Sequence, residues 1–328
     1  MSKLAVVAVG GNSLIKDNQH QTVEDQYAAV VETCKHIVDM IEQGWRVVVT
    51  HGNGPQVGFI LIRSEMASNT LHTVPLDSCG ADTQGAIGYQ IQQALFNEFR
   101  KRGMKKQAAT VVTQVLVDKN DPSFQKPSKP IGPFYDAEKA QKYQKESGWN
   151  MVEDAGRGWR RVVASPLPLE IIEQNAIQQL VDADMTVVAV GGGGIPVIKD
   201  EQGDLHGTAA VIDKDFASAL LAANLKADLF VISTAVPKAA LNFKKPDQMD
   251  IDVLTLADAK KYAEEGHFAA GSMGPKIKAV IRFLEQGGKE ALITDPESLK
   301  KALNGETGTR VVPTGESKLT PAKAAATV

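Results

Sequence analysis

Cysteine is scarce in this chain. There are two among 328 residues, Cys34 and Cys79, with no Cys-x-x-Cys spacing. That is too few for a disulfide framework and fits a reducing compartment. A charge bias is also missing: the formal net charge of −3 excludes the strongly basic balance of a nucleic-acid or membrane-surface binder. No hydrophobic run is long enough to span a bilayer. The apolar start, Leu4 to Val9, meets glycine at once and reads as a buried strand rather than a signal peptide. A cytoplasmic protein with no nucleic-acid or membrane partner is therefore expected.

Several chemical signatures are absent too. The six histidines are scattered without ligand spacing, so no metal cluster is expected. Neither a Gly-x-Ser-x-Gly elbow nor a Gly-x-x-x-x-Gly-Lys-Ser/Thr phosphate loop occurs. The dinucleotide fingerprint fails twice. Gly52-x-Gly54-x-x-x-Gly58 is one residue too long, and Gly191-x-Gly193 has Pro196 in the third glycine's place.

What the chain does have is glycine at the ends of strands. Leu4-Ala-Val-Val-Ala-Val9 runs into Gly10-Gly11-Asn12, and Thr186-Val-Val-Ala-Val190 runs into Gly191-Gly192-Gly193-Gly194. Backbone N–H groups in such turns can approach an anion without Cβ interference. A third turn, His51-Gly52-Asn53-Gly54-Pro55, follows the strand 45–50, with Pro55 placed to open a helix.

Strands are expected at 4–9, 45–50, 108–117, 186–190, 228–233 and 291–294. Helical patterns lie at 22–43, 80–102, 169–183, 214–225, 255–265 and 274–287. Buried strands alternating with helices predict an α/β fold, a mostly parallel sheet covered on both faces, with ligands at the strands' carboxyl ends. Residues 118–163 differ: the Pro- and charge-rich stretch 118–133 predicts an excursion from the sheet, a protruding lid subdomain. The tail 314–328 reads as disordered.

Three lysines are candidates for anion binding. Lys214 sits in Asp213-Lys214-Asp215 ahead of an apolar helix, where the acids serve either as helix caps or, for Asp213, to hold lysines in place. Lys276 follows Gly271-Ser-Met-Gly-Pro in the first turn of a helix, where a cation opposes the macrodipole and an anionic ligand would explain it. Lys129, between Pro127 and Pro130, is either a solvent-facing linker residue or a rigid lysine that closes over substrate. Lysines and glycine turns without a metal cage match phosphoryl transfer, which depends on positioning and charge neutralisation. No general base stands out, which hints at an acceptor that is already ionised.

These motifs resemble those of the amino acid kinase family, and within it the carbamate kinases, over residues 3–313. The most specific are Val9-Gly-Gly-Asn12, Thr50-His-Gly-Asn-Gly-Pro-Gln-Val-Gly58, Pro127-Ser-Lys-Pro-Ile-Gly-Pro133 and Asp154-Ala-Gly-Arg-Gly-Trp-Arg-Arg-Val-Val163. Others are Ala210-Val-Ile-Asp-Lys-Asp-Phe-Ala217 and His267-Phe-Ala-Ala-Gly-Ser-Met-Gly-Pro-Lys276. The resemblance implies an open three-layer αβα sandwich in one domain, 1–313. Its acceptor lobe would cover about 1–165, including the subdomain at about 118–163, and its nucleotide lobe about 166–313. It implies the reaction ATP + carbamate = ADP + carbamoyl phosphate, run toward ATP in arginine or purine fermentation. Mg²⁺ would come with the nucleotide phosphates, and the protein would be a homodimer. Other small acceptors, or a non-catalytic nucleotide-binding regulator, are the alternatives.

Carried over, Gly10, Gly11, Asn12, Gly52 and Asn53 would bind carbamate and the moving phosphoryl group. Lys129, Lys214 and Lys276 would be catalytic, with Asp213 orienting them. Gly191, Gly192, Gly193, Thr234, Ala235, Asn242, Pro246 and Met273 would join Lys214 and Lys276 around the nucleotide. Ala235 stands where many members of that family carry an acidic residue.

Overall fold

The computed structural model describes residues 2–11, 14–15, 19–154, 156–269 and 271–322. Its first half runs β1 (Leu4–Val9), α1 (Val23–Glu42), β2 (Arg46–His51), α2 (Gln56–Met66), α3 (Leu76–Lys101), β3 (Ala108–Thr110) and β4 (Gln114–Val117). Then come β5 (Lys129–Tyr135), α4 (Ala137–Ser147), β6 (Asn150–Glu153), β7 (Trp159–Val163) and β8 (Pro168–Ile171). The second half runs α5 (Gln174–Asp182), β9 (Thr186–Val188), β10 (Ile195–Lys199), β11 (Leu205–Gly207), α6 (Lys214–Asn224), β12 (Leu229–Ser233) and β13 (Ala240–Leu241). It ends with β14 (Met249–Thr255), α7 (Leu256–Glu264), α8 (Met273–Glu285), β15 (Ala291–Thr294), α9 (Leu299–Leu303), β16 (Thr309–Val312) and β17 (Lys318–Pro321).

One sheet spans the molecule in the order β13-β14-β16-β15-β12-β1-β2-β9-β3. From β15 through β12, β1, β2 and β9 to β3 every pairing is parallel; the antiparallel pairs lie toward the other edge. Alternation along β1 explains the layers. Leu4, Val6 and Ala8 face a core shared with α5, α6, α7 and α8, while Ala5, Val7 and Val9 face one shared with α1, α3 and α9. Side chains that alternate between two apolar layers make β1 a continuous hydrophobic run. Each fully buried Val or Leu contributes roughly 1.5–3 kcal/mol by leaving water. The three-layer αβα architecture and the mostly parallel sheet are as expected from the sequence. No helix among the described residues is long and apolar enough to cross a membrane.

Local chemistry sets several boundaries. A capping box starts α1: Thr22 Oγ1 accepts from Asp25 N, and the Asp25 carboxylate accepts from Thr22 N. Gly148, at φ 65°, ends α4 in the left-handed region that favours glycine.

Four local expectations need correction. The apolar stretch 108–117 is two strands, because Gln84 Oε1 accepts from Thr113 N and Thr113 O pairs with Ile195 N, drawing the chain out of the main sheet. Its second part, β4, pairs with β10 and β8 in a separate sheet. The helical pattern 169–183 begins only at Gln174, since β8 is held against β4 and Glu173 accepts from both N and Nε2 of Gln114. Pro55 caps α2 from just outside, one position before the expected N1. Within 314–328, residues Lys318–Pro321 form β17, antiparallel to β14; residues 323–328 lie outside the described set. The hydroxyl of Thr320 donates to Asp252, and Ser317 Oγ accepts from Thr255 N, which ties this segment down.

The 118–163 segment carries its own three-stranded antiparallel sheet, β5-β7-β6, with α4 beside it. β5 is an edge strand, the place a sheet tolerates Pro130 and Pro133. Tyr135, Tyr143 and Trp149 cluster under it, the latter two stacked with centroids 4.5 Å apart. This small aromatic core lets the segment hold its shape apart from the main sheet.

Candidate active site

The carboxyl ends of β1 and β2 open onto a cavity of about 290 Å³. Gly10 ends β1, where a Cβ would fall 2.8 Å from the Ser233 carbonyl oxygen. Gly11 lines the cavity; Asn12 lies outside the described residues. At the end of β2, Gly52 leaves room for the Lys214 stem, whose Cδ would stand 3.3 Å from an added Cβ. Asn53 is buried, and its Nδ2 donates to Thr83 Oγ1 at 3.3 Å. Its amide occupies the space beside Gly192, where a Cβ would come within 2.4 Å of Nδ2. Gly192 also has φ +67°, so both space and backbone demand glycine there.

Helix α6 delivers the charge. Asp213 is its N-cap and accepts from Asp215 N at 2.9 Å. The Asp215 carboxylate is 3% exposed and receives two ammonium groups, Lys214 Nζ at 2.5 Å and Lys276 Nζ at 3.0 Å. Burial pushes its pKa up, but the two lysines outweigh that and hold it down at about 2. Lys276 comes from the first turn of α8, so Asp215 fixes lysines from two helices at one point.

The third lysine arrives from the small sheet. Lys129 Nζ donates to the Ile212 carbonyl at 3.0 Å and stands 3.6 Å from Asp213 Oδ2. Its side chain is 25% exposed, which rules out a solvent-facing linker residue. Burial lowers its pKa, and Asp213 opposes that shift. The structure thus brings Lys129, Lys214 and Lys276 to one cavity. It shares their anchoring between Asp213, which faces Lys129, and Asp215, which bridges the other two. Counting Arg160, the described lining carries four cations against two carboxylates, a surplus of two positive charges. No group of three or more His, Cys, Asp or Glu suited to a metal ion occurs among the described residues.

A second cavity, also about 290 Å³, shares Ser272 with the first. Thr234, Ala235, Phe243, Phe268 and Met273 are among its walls. Anionic groups thus have a polar, cationic chamber, and a flat apolar ring has a chamber next to it. With Ala235 in place of an acid, that side chain brings no negative charge to the second chamber.

Some expected nucleotide residues stand elsewhere. Asn242 and Pro246 line neither cavity, and Asn242 Nδ2 donates to Asp247 at 2.7 Å. Of the four consecutive glycines, Gly192 alone lines the first cavity. Gly191 packs on the His51 ring and Gly193 on the Ile212 backbone. Close packing of loop on loop is what these glycines permit, and through Gly192 they abut Asn53. His51 itself is buried; burial lowers its pKa to about 4, leaving a neutral ring with Nδ1 at 2.8 Å from the Gly52 carbonyl.

Sequence reasoning missed Asp215 as the lysine anchor, Thr83 as the support of Asn53, and Gln84. Gln84 Nε2 donates to both Thr113 O and Gly191 O, clamping the glycine turn to the β3–β4 link. The Asp213-Lys214-Asp215 triplet carried a signal for the first. Nothing local marked Thr83 or Gln84, whose site partners Asn53, Thr113 and Gly191 are 29 to 107 residues away.

Residues 3–295 match the model of the amino acid kinase family. A carbamate kinase of Thermococcus kodakarensis is 52% identical over 313 residues, 94% of this chain and 99% of the relative. A carbamate kinase-like protein of Escherichia coli K12, YahI, is 51% identical over 96% of this chain and all of its own length. Among solved structures, carbamate kinase from Giardia lamblia bound to AMP-PNP superposes with a TM-score of 0.90. It is 40% identical and covers 95% of this chain and 99% of its own.

Proposed function

The chain belongs to the amino acid kinase family and is a kinase, and from that premise we propose that it transfers a phosphoryl group between carbamoyl phosphate and ADP. The observation that carries this reading is Asp215 holding Lys214 and Lys276 beside Lys129, above glycine turns with no free carboxylate base among the described residues.

In the ATP-forming direction, a β-phosphate oxygen of ADP attacks phosphorus, the bond to the carbamoyl oxygen breaks, and carbamate leaves with its electron pair. No proton moves, so no base is required. Lys214 and Lys276 neutralise the oxygens of the moving group, and Lys129 reaches it from the small sheet when that sheet closes as a lid. Gly10, Gly11, Gly52 and Asn53 hold the acceptor from the N-terminal lobe. The second cavity, with Thr234, Ala235 and Met273, takes the adenine in the C-terminal lobe. Both carboxylates among the described lining are engaged by lysines, so magnesium would arrive with the nucleotide and help neutralise its phosphates. An acyl phosphate is a stronger phosphoryl donor than ATP, which favours ATP synthesis in a fermentative setting. Two buried free cysteines suit the cytoplasm.

A homodimer is part of the same proposal. β3 is the open edge of the main sheet, and beside it Tyr89, Phe96 and Val112 are 61%, 60% and 54% exposed along one groove. A second copy of this chain would cover that apolar edge. Sedimentation at micromolar concentration tests it: a monomer contradicts it.

The test of function is a donor panel. With ADP and magnesium, ATP should form from carbamoyl phosphate far faster than from acetyl phosphate. Equal rates, or a preference for another acyl phosphate, would reassign the acceptor.

A further inference from the structure

We propose that Arg160 is a further catalytic residue: it binds the carboxylate end of carbamate and stabilises the charge that grows there as the phosphoryl group departs. This rests on the function proposed above.

The motif Gly156-Arg157-Gly158-Trp159-Arg160-Arg161 places three arginines in and beside β7, and the structure gives them different surroundings. Arg157 Nη2 donates to Asp154 Oδ1 at 2.8 Å. Arg161 lays its guanidinium 4.2 Å over the Trp149 ring, completing the aromatic core. Arg160 alone of the three lines the first cavity, together with Lys129 and Asn53.

Its charge is poorly matched within the protein. Nη2 donates to the Gly132 carbonyl at 3.1 Å. Nη1 makes only a long ion pair with Asp154 Oδ2, at 3.8 Å and beyond hydrogen-bond reach, while Asp154 Oδ1 accepts from Arg157. Nε is buried and has no partner. The Phe134 ring lies 5.2 Å from the guanidinium and supplies only a weak cation–π contact. Burial pushes the Arg160 pKa down, and Asp154 offsets this only in part. A guanidinium drawn out of water without a close carboxylate is costly unless an anion completes it. Its planar fork suits a carboxylate better than a single lysine charge does.

Position selects which anion. Arg160 is bonded to Gly132, and Gly132 packs on Gly58, where an added Cβ would come within 2.8 Å of the Gly132 Cα. Arg160 therefore belongs to the wall built by the small sheet and α2. Ser272, which opens to the second cavity, belongs to the wall near α8. A nucleotide entering through the α8 wall leaves the acceptor end to Arg160. As the P–O bond breaks, its electron pair stays on the bridging oxygen, which becomes the second carboxylate oxygen of carbamate, and this is the charge the guanidinium meets.

The experiment compares wild type, Arg160→Gln and Arg160→Lys in ATP formation from carbamoyl phosphate, with ADP affinity measured by calorimetry and folding by thermal melting. The glutamine variant should lose about 100-fold in kcat. Lysine, keeping the charge without the fork, should lose about tenfold, and ADP affinity should stay within about twofold in both. The proposal is overturned if both variants keep kcat/KM within about threefold, or if ADP affinity falls as much as kcat does. If the glutamine variant fails to fold, the lysine variant decides alone. A wild type that makes no ATP overturns the function itself; an active wild type with unimpaired variants overturns only the role of Arg160.

Discussion

Asp215 and Lys276 meet across two helices, carboxylate to ammonium at 3.0 Å, although 61 residues separate them in the chain. Asp215 also binds its neighbour Lys214, so one buried carboxylate sets the position of both cations. Replacing it by asparagine removes the charge that holds them while preserving shape. Asp215→Asn should lower kcat by about 100-fold, with a smaller change in KM for ADP. Steady-state kinetics check this, and a near-normal kcat would mean the lysines are placed by their own helices.

Lys129 reaches the same cavity from the small sheet and meets the start of α6 through Ile212 O and the N-cap Asp213. Lys129→Ala should cut kcat/KM for carbamoyl phosphate by about 100-fold and leave the calorimetric ADP affinity almost unchanged. An unaltered kcat/KM would show that the small sheet does not close on substrate.

Gly192 is the point where the second glycine run touches Asn53. In Gly192→Ala the new methyl would meet the Asn53 amide in a left-handed backbone, at a cost of about 1–3 kcal/mol. Denaturant melts should show that loss, and activity should fall further than stability because Asn53 is displaced. Full activity with lowered stability would confine Gly192 to a packing role.

The buried His51 ring titrates near 6.5 in an unfolded chain and, lowered by burial, at about 4 in the folded one. Between these values the unfolded state binds the extra proton. Stability should therefore be full above pH 6.5 and decline as the pH falls toward 4, with a slope up to about 1.4 kcal/mol per pH unit from this group. Chemical denaturation across that window, compared with His51→Asn, isolates the contribution. An identical slope in the variant would assign the decline to other groups.

Both cysteines are buried, and burial raises both thiol pKa values, that of Cys79 to about 11. Native protein should react with a disulfide probe at pH 7 at least about 100-fold more slowly than urea-unfolded protein. Rapid reaction of either thiol would contradict their placement.

Much of this was legible in the sequence because its physics is local. The β1 alternation, the glycines at strand ends and the lysines at helix starts are read from neighbours a few residues apart. The choice between strand and helix at 169–173 depended on β4, some fifty residues earlier, and the order in 318–321 depended on β14. In the site, the helix-start position of Lys276 marked it from its surroundings, whereas Lys214 was balanced between capping and binding, and Lys129 was placed in the site by the family resemblance. Asp215 looked like a first-turn helix acid until Lys276 was seen beside it. The glycines at 191–194 were expected to face nucleotide. Their actual neighbours, His51, Asn53 and Ile212, come from two other segments that sequence alone does not bring together.

The central claim is direct phosphoryl transfer from carbamoyl phosphate to ADP in this site. Phosphorus NMR of one sample containing protein, magnesium, ADP and carbamoyl phosphate tests it most directly. The γ-phosphate signal of ATP should rise as the carbamoyl phosphate signal falls, one for one, and much faster than inorganic phosphate appears. Loss of carbamoyl phosphate to inorganic phosphate alone, with ADP unchanged, would contradict it.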